Sequence, residues 1–114
     1  MEMIISDFGD LGKRVTLIGR LDIPGSGKID IPLQELADSN ANIIVDMQEV
    51  DFIGSLGMRS LVVAAKKLMR NARTLVLLRP TPLVVDALTK AGLNTLLPIV
   101  HSDSEAQGLL NKYS

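Results

Sequence analysis

Two apolar runs of strand length, Ile43-Ile44-Val45-Asp46-Met47 and Thr74-Leu75-Val76-Leu77-Leu78, flank a segment whose apolar residues recur at helical spacing. Few folds accommodate that order. The first run, Asn42 to Met47, is apolar almost without interruption, the pattern of a strand buried on both faces. The segment between opens at Gly54-Ser55 and carries Leu61, Ala64, Ala65 and Leu68 as one stripe. Met58, Val62 and Met69 lie on its shoulders, and Arg59, Ser60, Lys66, Lys67 and Arg70 collect opposite. It runs to Arg70 and stops at Asn71-Ala72-Arg73. Strand, helix and strand at this spacing form a βαβ unit with parallel strands and a right-handed crossover. Ser55 then presents a hydroxyl at a helix start, where the first N–H groups have no partners within the helix.

The remaining elements extend this unit. Met3-Ile4-Ile5 and Val15-Thr16-Leu17-Ile18 read as two antiparallel strands joined by a turn at Gly9-Asp10-Leu11-Gly12-Lys13. Gly19-Arg20-Leu21-Asp22-Ile23-Pro24 follows, then Gly25-Ser26-Gly27-Lys28, read as a loop because it is rich in helix breakers. A short helix is expected from Asp30 to Ala37, with Asp30 as its cap, Pro32 in its first turn and Asp38-Ser39-Asn40 at its end. Pro80-Thr81-Pro82 opens a further helix, with Thr81 as N-cap, that carries Leu83, Val84, Ala87, Leu88 and Ala91 and has Gly92 placed as its C-cap. Leu96 to Val100 reads as an edge strand, because Pro98 lacks a donor. Ser102-Asp103-Ser104-Glu105 is a capping-box pattern for a last helix bearing Ala106, Leu109 and Leu110. The order ββαβαβαβα implies an α/β fold: one domain over residues 1–114, with a mixed sheet of four to five strands and helices packed against it.

Composition narrows the chemistry. A length of 114 residues suits one hydrophobic core, and the apolar fraction of 46% with 22% charged residues is that of a globular chain. A net charge of −1 and only three aromatic residues (Phe8, Phe52, Tyr113) argue against direct nucleic-acid binding. The chain contains no cysteine, which removes disulfides, thiol nucleophiles and the common structural zinc sites. No apolar run reaches the ~18 residues of a membrane span, so membrane insertion is not expected and a cytoplasmic location is.

The motifs associated with catalysis are incomplete. Gly25-Ser26-Gly27-Lys28 lacks the spacing of a phosphate-binding loop, and Ile29 follows its lysine. His101 is the only histidine and has no clustered carboxylate, so no metal is expected. Ser55 lacks the glycine-flanked elbow of a serine hydrolase, since Ile53 stands where the first glycine belongs. Asp46 and Asp51 are not set at an acid/base spacing. The residues therefore point to no catalytic group, no cofactor and no enzyme. For Ser55 two readings stand side by side: an N-cap worth ~1 kcal/mol, or a modifiable hydroxyl. Met58, Val62 and Met69 have two as well, an adaptable docking strip or the margin of the core. Arg59, one turn from Ser55, is placed to steer an acidic partner or meet a phosphate. Asp22 is a rim contact or a turn former.

Across the strand–serine–helix junction the chain resembles the STAS family, in its anti-sigma factor antagonist form. Phe52-Ile53-Gly54-Ser55-Leu56-Gly57-Met58-Arg59 follows the family's pattern in register. Gly19-Arg20-Leu21-Asp22, Ile43 to Met47 and Ala91-Gly92-Leu93 extend the likeness along nearly the whole chain. The resemblance implies a STAS fold and a small regulator whose Ser55 is phosphorylated by an anti-sigma factor with GHKL-type serine kinase activity. It further implies that the unphosphorylated form binds that partner and releases the sigma factor, and that a PPM-type, metal-dependent serine phosphatase resets the switch. Asp22, Gly54, Leu56, Gly57, Met58, Arg59 and Val62 are the implied partner contacts around Ser55. Gly54 stands where many members carry Asp or Ser, Leu56 where many carry a second hydroxyl, and Arg59 where many carry Gly. The second role open to such a domain is a stand-alone interaction subunit of a transporter or signalling scaffold, without the switch.

Overall fold

The computed structural model describes residues 1–113 and contains a five-stranded mixed sheet with four α-helices. The strands are β1 (Glu2–Phe8), β2 (Gly12–Leu21), β3 (Ile43–Ile53), β4 (Leu75–Leu78) and β5 (Ile99–Val100), in the order β1-β2-β3-β4-β5 across the sheet. The β1–β2 hairpin is antiparallel and every later pairing is parallel. The helices are α1 (Ile23–Asp38), α2 (Ser55–Arg70), α3 (Pro82–Lys90) and α4 (Asp103–Leu110). Element order and type follow the ββαβαβαβα pattern read from the sequence.

The two faces of the sheet are covered unequally. Alternation along β3 and β4 sends Ile43, Val45, Met47, Leu75 and Leu77 to one face, where they meet Ile29 and Leu33 of α1, Leu61 and Leu68 of α2, and Val84 and Leu88 of α3. The opposite set, Ile44, Val76 and Leu78, meets a smaller group: Ala106 and Leu110 of α4, Val100, and the partly buried Phe8, Leu11 and Leu109. Beside that smaller cluster, Asp46 accepts from Arg14 at 3.4 Å and from Arg79 at 3.2 Å. Arg14 also reaches Asp103 at the start of α4, at 2.8 Å. The cluster explains how Asp46 tolerates burial in a strand centre, since Oδ2 faces both guanidinium groups and Oδ1 accepts from the Gln48 N–H at 3.2 Å.

α1 departs from the sequence expectation. It starts at Ile23 rather than Asp30, and residues 25–28 lie inside it. Asp22 is the N-cap: its side chain accepts from the Gly25 N–H at 2.8 Å, and Pro24 occupies the first turn, where no N–H is needed. Of the two glycines here, Gly25 is required by packing and Gly27 faces open space. A Cβ on Gly25 would lie 2.0 Å from the Arg20 carbonyl oxygen, so only glycine lets α1 turn so closely off the end of β2. Pro32 lies in the middle of the helix, not in its first turn. It is on the exposed side, where the carbonyl it leaves unpaired one turn back is open to water. Asp30 is thus not a cap, and its carboxylate accepts instead from the Ser60 hydroxyl at 2.8 Å. That bond ties α1 to α2 and makes Ser60 buried, at 5% exposure, rather than part of the solvated face.

β3 runs on to Ile53, six residues past the apolar run that announced it. Two register shifts against β2, between Thr16 and Ile18 and between Gly19 and Arg20, give β3 two extra residues and bend its end. Val50 and Ile53 stay buried while Asp51 and Phe52 turn outward. α3 starts where expected but has Ala91 rather than Gly92 as its C-cap, and its Leu83 is exposed. Thr81 is the N-cap of α3, but its hydroxyl donates to the Val50 carbonyl rather than to the helix. β5 is only two residues long and begins after Pro98, at an edge as expected. At α4 half of the capping box forms: Ser102 accepts from the Glu105 N–H, while the Glu105 carboxylate accepts from the His101 N–H rather than from that of Ser102.

Candidate functional site

β2 and β3 end together, and α1 and α2 leave from those ends. Leu21 opposes Ile53 in the parallel register, and the Gly54 N–H donates to the Leu21 carbonyl at 2.9 Å. This bond fixes where α2 starts. Gly54 is the N-cap in extended conformation and offers no side-chain oxygen; the first intrahelical bond runs from the Met58 N–H to the Gly54 carbonyl. Ser55 is therefore the first residue of the helix and not its cap. It is exposed, and among the described residues its hydroxyl makes no hydrogen bond. The capping reading of Ser55 does not hold. The side chain is free, beside first-turn N–H groups that no side chain caps.

A cleft of about 540 Å³ opens next to Ser55, with Arg20, Asp22, Ile23, Phe52 and Leu56 among its walls. Its lining is mostly apolar, and Ile23 is 75% and Leu56 46% exposed. Arg20 lies over the Phe52 ring, 4.6 Å from its centroid, and within 3.9 Å of both Asp22 and Asp51. The stacking keeps a cation at the mouth of an apolar cleft without burying its charge. A second groove of about 490 Å³ continues from Ile23 and Leu56 between α1 and α2, past Asp30, Gln34, Arg59 and Val63.

The residues singled out in sequence divide into three groups. Ser55, Gly54, Leu56 and Asp22 come together at the cleft. Asp22 serves α1 as its cap while remaining at the rim. Arg59 is exposed one turn along α2 and forms no ion pair among the described residues. Gly57 is buried, and a Cβ there would stand 3.0 Å from Leu21 Cβ and 3.2 Å from Ser26 Oγ, so it is the point where α2 presses on α1. Met58 and Val62 are half-buried against the main core, and of the shoulder residues Met69 alone is fully outward. Leu56 and Val63 form the open apolar surface of α2 on the side toward α1.

Three contributors were not anticipated: Arg20 with Phe52, Ile23, and the Ser60–Asp30 bond. The first had a visible signal, because Arg20 and Phe52 stand at equivalent places before the two strand ends. Asp22-Ile23-Pro24 after a strand likewise carries the cap-then-proline signature of a helix start. Asp46 lies with Arg14, Arg79 and Asp103 on the α4 face of the sheet.

The fold and the junction define a STAS domain, and sequence comparison agrees: the family model for the STAS domain matches residues 13–106, and the chain belongs to that family. Comparison with curated protein sequences gave no match. Among solved structures, an anti-sigma factor antagonist from Mycobacterium paratuberculosis superposes with a TM-score of 0.86 at 17% identity, covering 96% of this chain and 93% of that one. The anti-sigma factor antagonist SpoIIAA in its unphosphorylated form gives 0.80 at 18% identity over 99% of each chain. The Bacillus cell fate determinant SpoIIAA in the phosphorylated form gives 0.73 at 17% identity, covering 95% of this chain and 99% of that one. At these identities the likeness is one of fold.

Proposed function

We propose that this chain is an anti-sigma factor antagonist whose binding to an anti-sigma factor is switched by phosphorylation of Ser55. The observation that carries the reading is the free, exposed hydroxyl of Ser55 at the uncapped start of α2. Phosphorylation adds about −1.5 to −2 charge and three acceptor oxygens. The helix start accommodates that charge, with a gain of roughly 0.3–1 kcal/mol at an exposed position, and no existing bond is lost. The domain thus keeps its fold in both states. A partner seated on Leu56, Ile23 and the cleft responds differently, because the dianion must be stripped of water against it. Such a site changes affinity without changing shape.

The kinase in this scheme is the anti-sigma factor itself, of GHKL type, and a PPM-type phosphatase restores the hydroxyl. Both belong to the reading by family membership, supported by SpoIIAA, the structural neighbour known in unphosphorylated and phosphorylated forms. The test is intact-mass analysis after incubation with the cognate kinase and ATP. Wild type gains one phosphate, Ser55→Ala gains none, and Ser55→Asp loses partner binding. Equal phosphate uptake by Ser55→Ala overturns the assignment. Undiminished capture of a transport complex by Ser55→Asp places the chain instead among stand-alone STAS interaction subunits, for which the exposed Ile23 and Leu56 suffice.

A further inference from the structure

The two edges of the sheet are built differently. β5 is two residues long and follows a proline, so it offers a foreign strand little to pair with. β1 is seven residues long and pairs with β2 in unbroken register from Glu2 to Phe8, so no bulge twists its edge away. Its sequence, Glu2-Met3-Ile4-Ile5-Ser6-Asp7-Phe8, contains neither proline nor lysine. Ile4 and Ile5 point to opposite faces and are 49% and 47% exposed. The helices pack chiefly on the inner strands, α1 on β2 and α2, and α4 on β4 and β5, with Phe8 at the end of β1 against the α4 cluster. The outer N–H and C=O groups of β1 are thus an open template flanked by an apolar side chain on each face.

We propose that β1 pairs antiparallel with β1 of a second copy of this chain, joining two five-stranded sheets edge to edge. Identical edges related by a two-fold axis perpendicular to the sheet keep each face on its own side. Residue i then opposes residue j only where i and j share parity, because successive side chains alternate faces. Among such registers one is complementary on both faces. Centred on Ile4, it sets Ile4 against Ile4, Met3 against Ile5 and Glu2 against Ser6. Every central apolar side chain meets another, and no acid opposes an acid. Centring on Ile5 sets Met3 against Asp7 and Ile4 against Ser6, while centring on Met3 sets Ile4 against Glu2. This self-complementarity is what selects a second copy over a foreign strand. One strand edge buries less than the roughly 1,000 Å² of a stable interface, so the dimer is weak and depends on concentration.

The chain has no cysteine, which gives single cysteine substitutions a clean background. In the Ile4-centred register the two copies of Ile4→Cys stand across the axis with Cα atoms about 4.5–5.5 Å apart, within the range a disulfide accepts. Ile5→Cys faces Met3 and does not meet its own copy. Under mild oxidation, Ile4→Cys is expected to form a covalent dimer at least about tenfold faster than Ile5→Cys or the exposed control Ser104→Cys, because pairing raises the local thiol concentration. Sedimentation equilibrium of the wild type shows concentration-dependent mass that Ile4→Lys abolishes, and circular dichroism confirms that each variant is folded. A wild type that stays monomeric to millimolar concentration overturns the proposal. So does Ile4→Cys crosslinking no faster than Ser104→Cys, or Ile5→Cys crosslinking faster than Ile4→Cys.

Discussion

α1 and α2 begin side by side at the ends of adjacent strands, yet their first turns are finished in opposite ways. The start of α1 is closed. Asp22 caps the Gly25 N–H, the Ser26 N–H reaches the Asp22 carbonyl at 2.8 Å, and Gly25 is pressed against the Arg20 carbonyl. The start of α2 is open, with a glycine cap that offers no oxygen and a serine that bonds to nothing among the described residues. The fold spends its local chemistry on one helix start and leaves the other bare. A change at the first disturbs the structure, whereas a change at the second alters only what the surface presents.

This contrast is tested most severely at Gly25. Gly25→Ala brings a Cβ to 2.0 Å from a backbone oxygen. The overpacking is expected to cost about 3 kcal/mol, read as a lower urea midpoint at an unchanged slope. Asp22→Ala removes the cap bond and should cost ~1 kcal/mol in the same measurement, with Asp22→Asn recovering most of the loss. Ser55→Ala is expected to change stability by less than about 0.5 kcal/mol, as for a surface side chain without partners. A loss of 1 kcal/mol at Ser55 would show that α2 does depend on that hydroxyl and would erase the difference between the two starts.

The sheet and its connections were legible because they rest on long apolar runs and a 3.6-residue stripe, signals carried by many residues at once. The start of α1 was not. Gly25, Gly27 and Pro32 are poor helix formers taken singly; Asp22 caps the turn, and the Arg20 carbonyl leaves room for nothing larger than glycine at position 25. The end of β3 was hidden for a related reason: bulges interrupt the alternation by which a strand is recognised, so Val50 to Ile53 read as a link. At the site, Ser55 stood out through its place between strand and helix. That its hydroxyl is free, and that Ser60 is buried, depend on distances between helices that no local pattern encodes.

The lone helix on the far side of the sheet has a consequence for how the protein breathes. α4 is eight residues long, buries Ala106 and Leu110, and otherwise leans on the half-exposed Asp103 against Arg14 and Arg79. Salt shortens electrostatic reach to roughly 3 Å at 1 M, which removes most of that support while leaving the larger core untouched. α4 is therefore expected to open at a lower free energy than the main core, read as earlier hydrogen exchange of its amides in high salt. When it does, Ile44 and Val76 meet water on one side while their neighbours Val45 and Leu77 stay dry on the other. A single sheet then has two thresholds of exposure, one for each face.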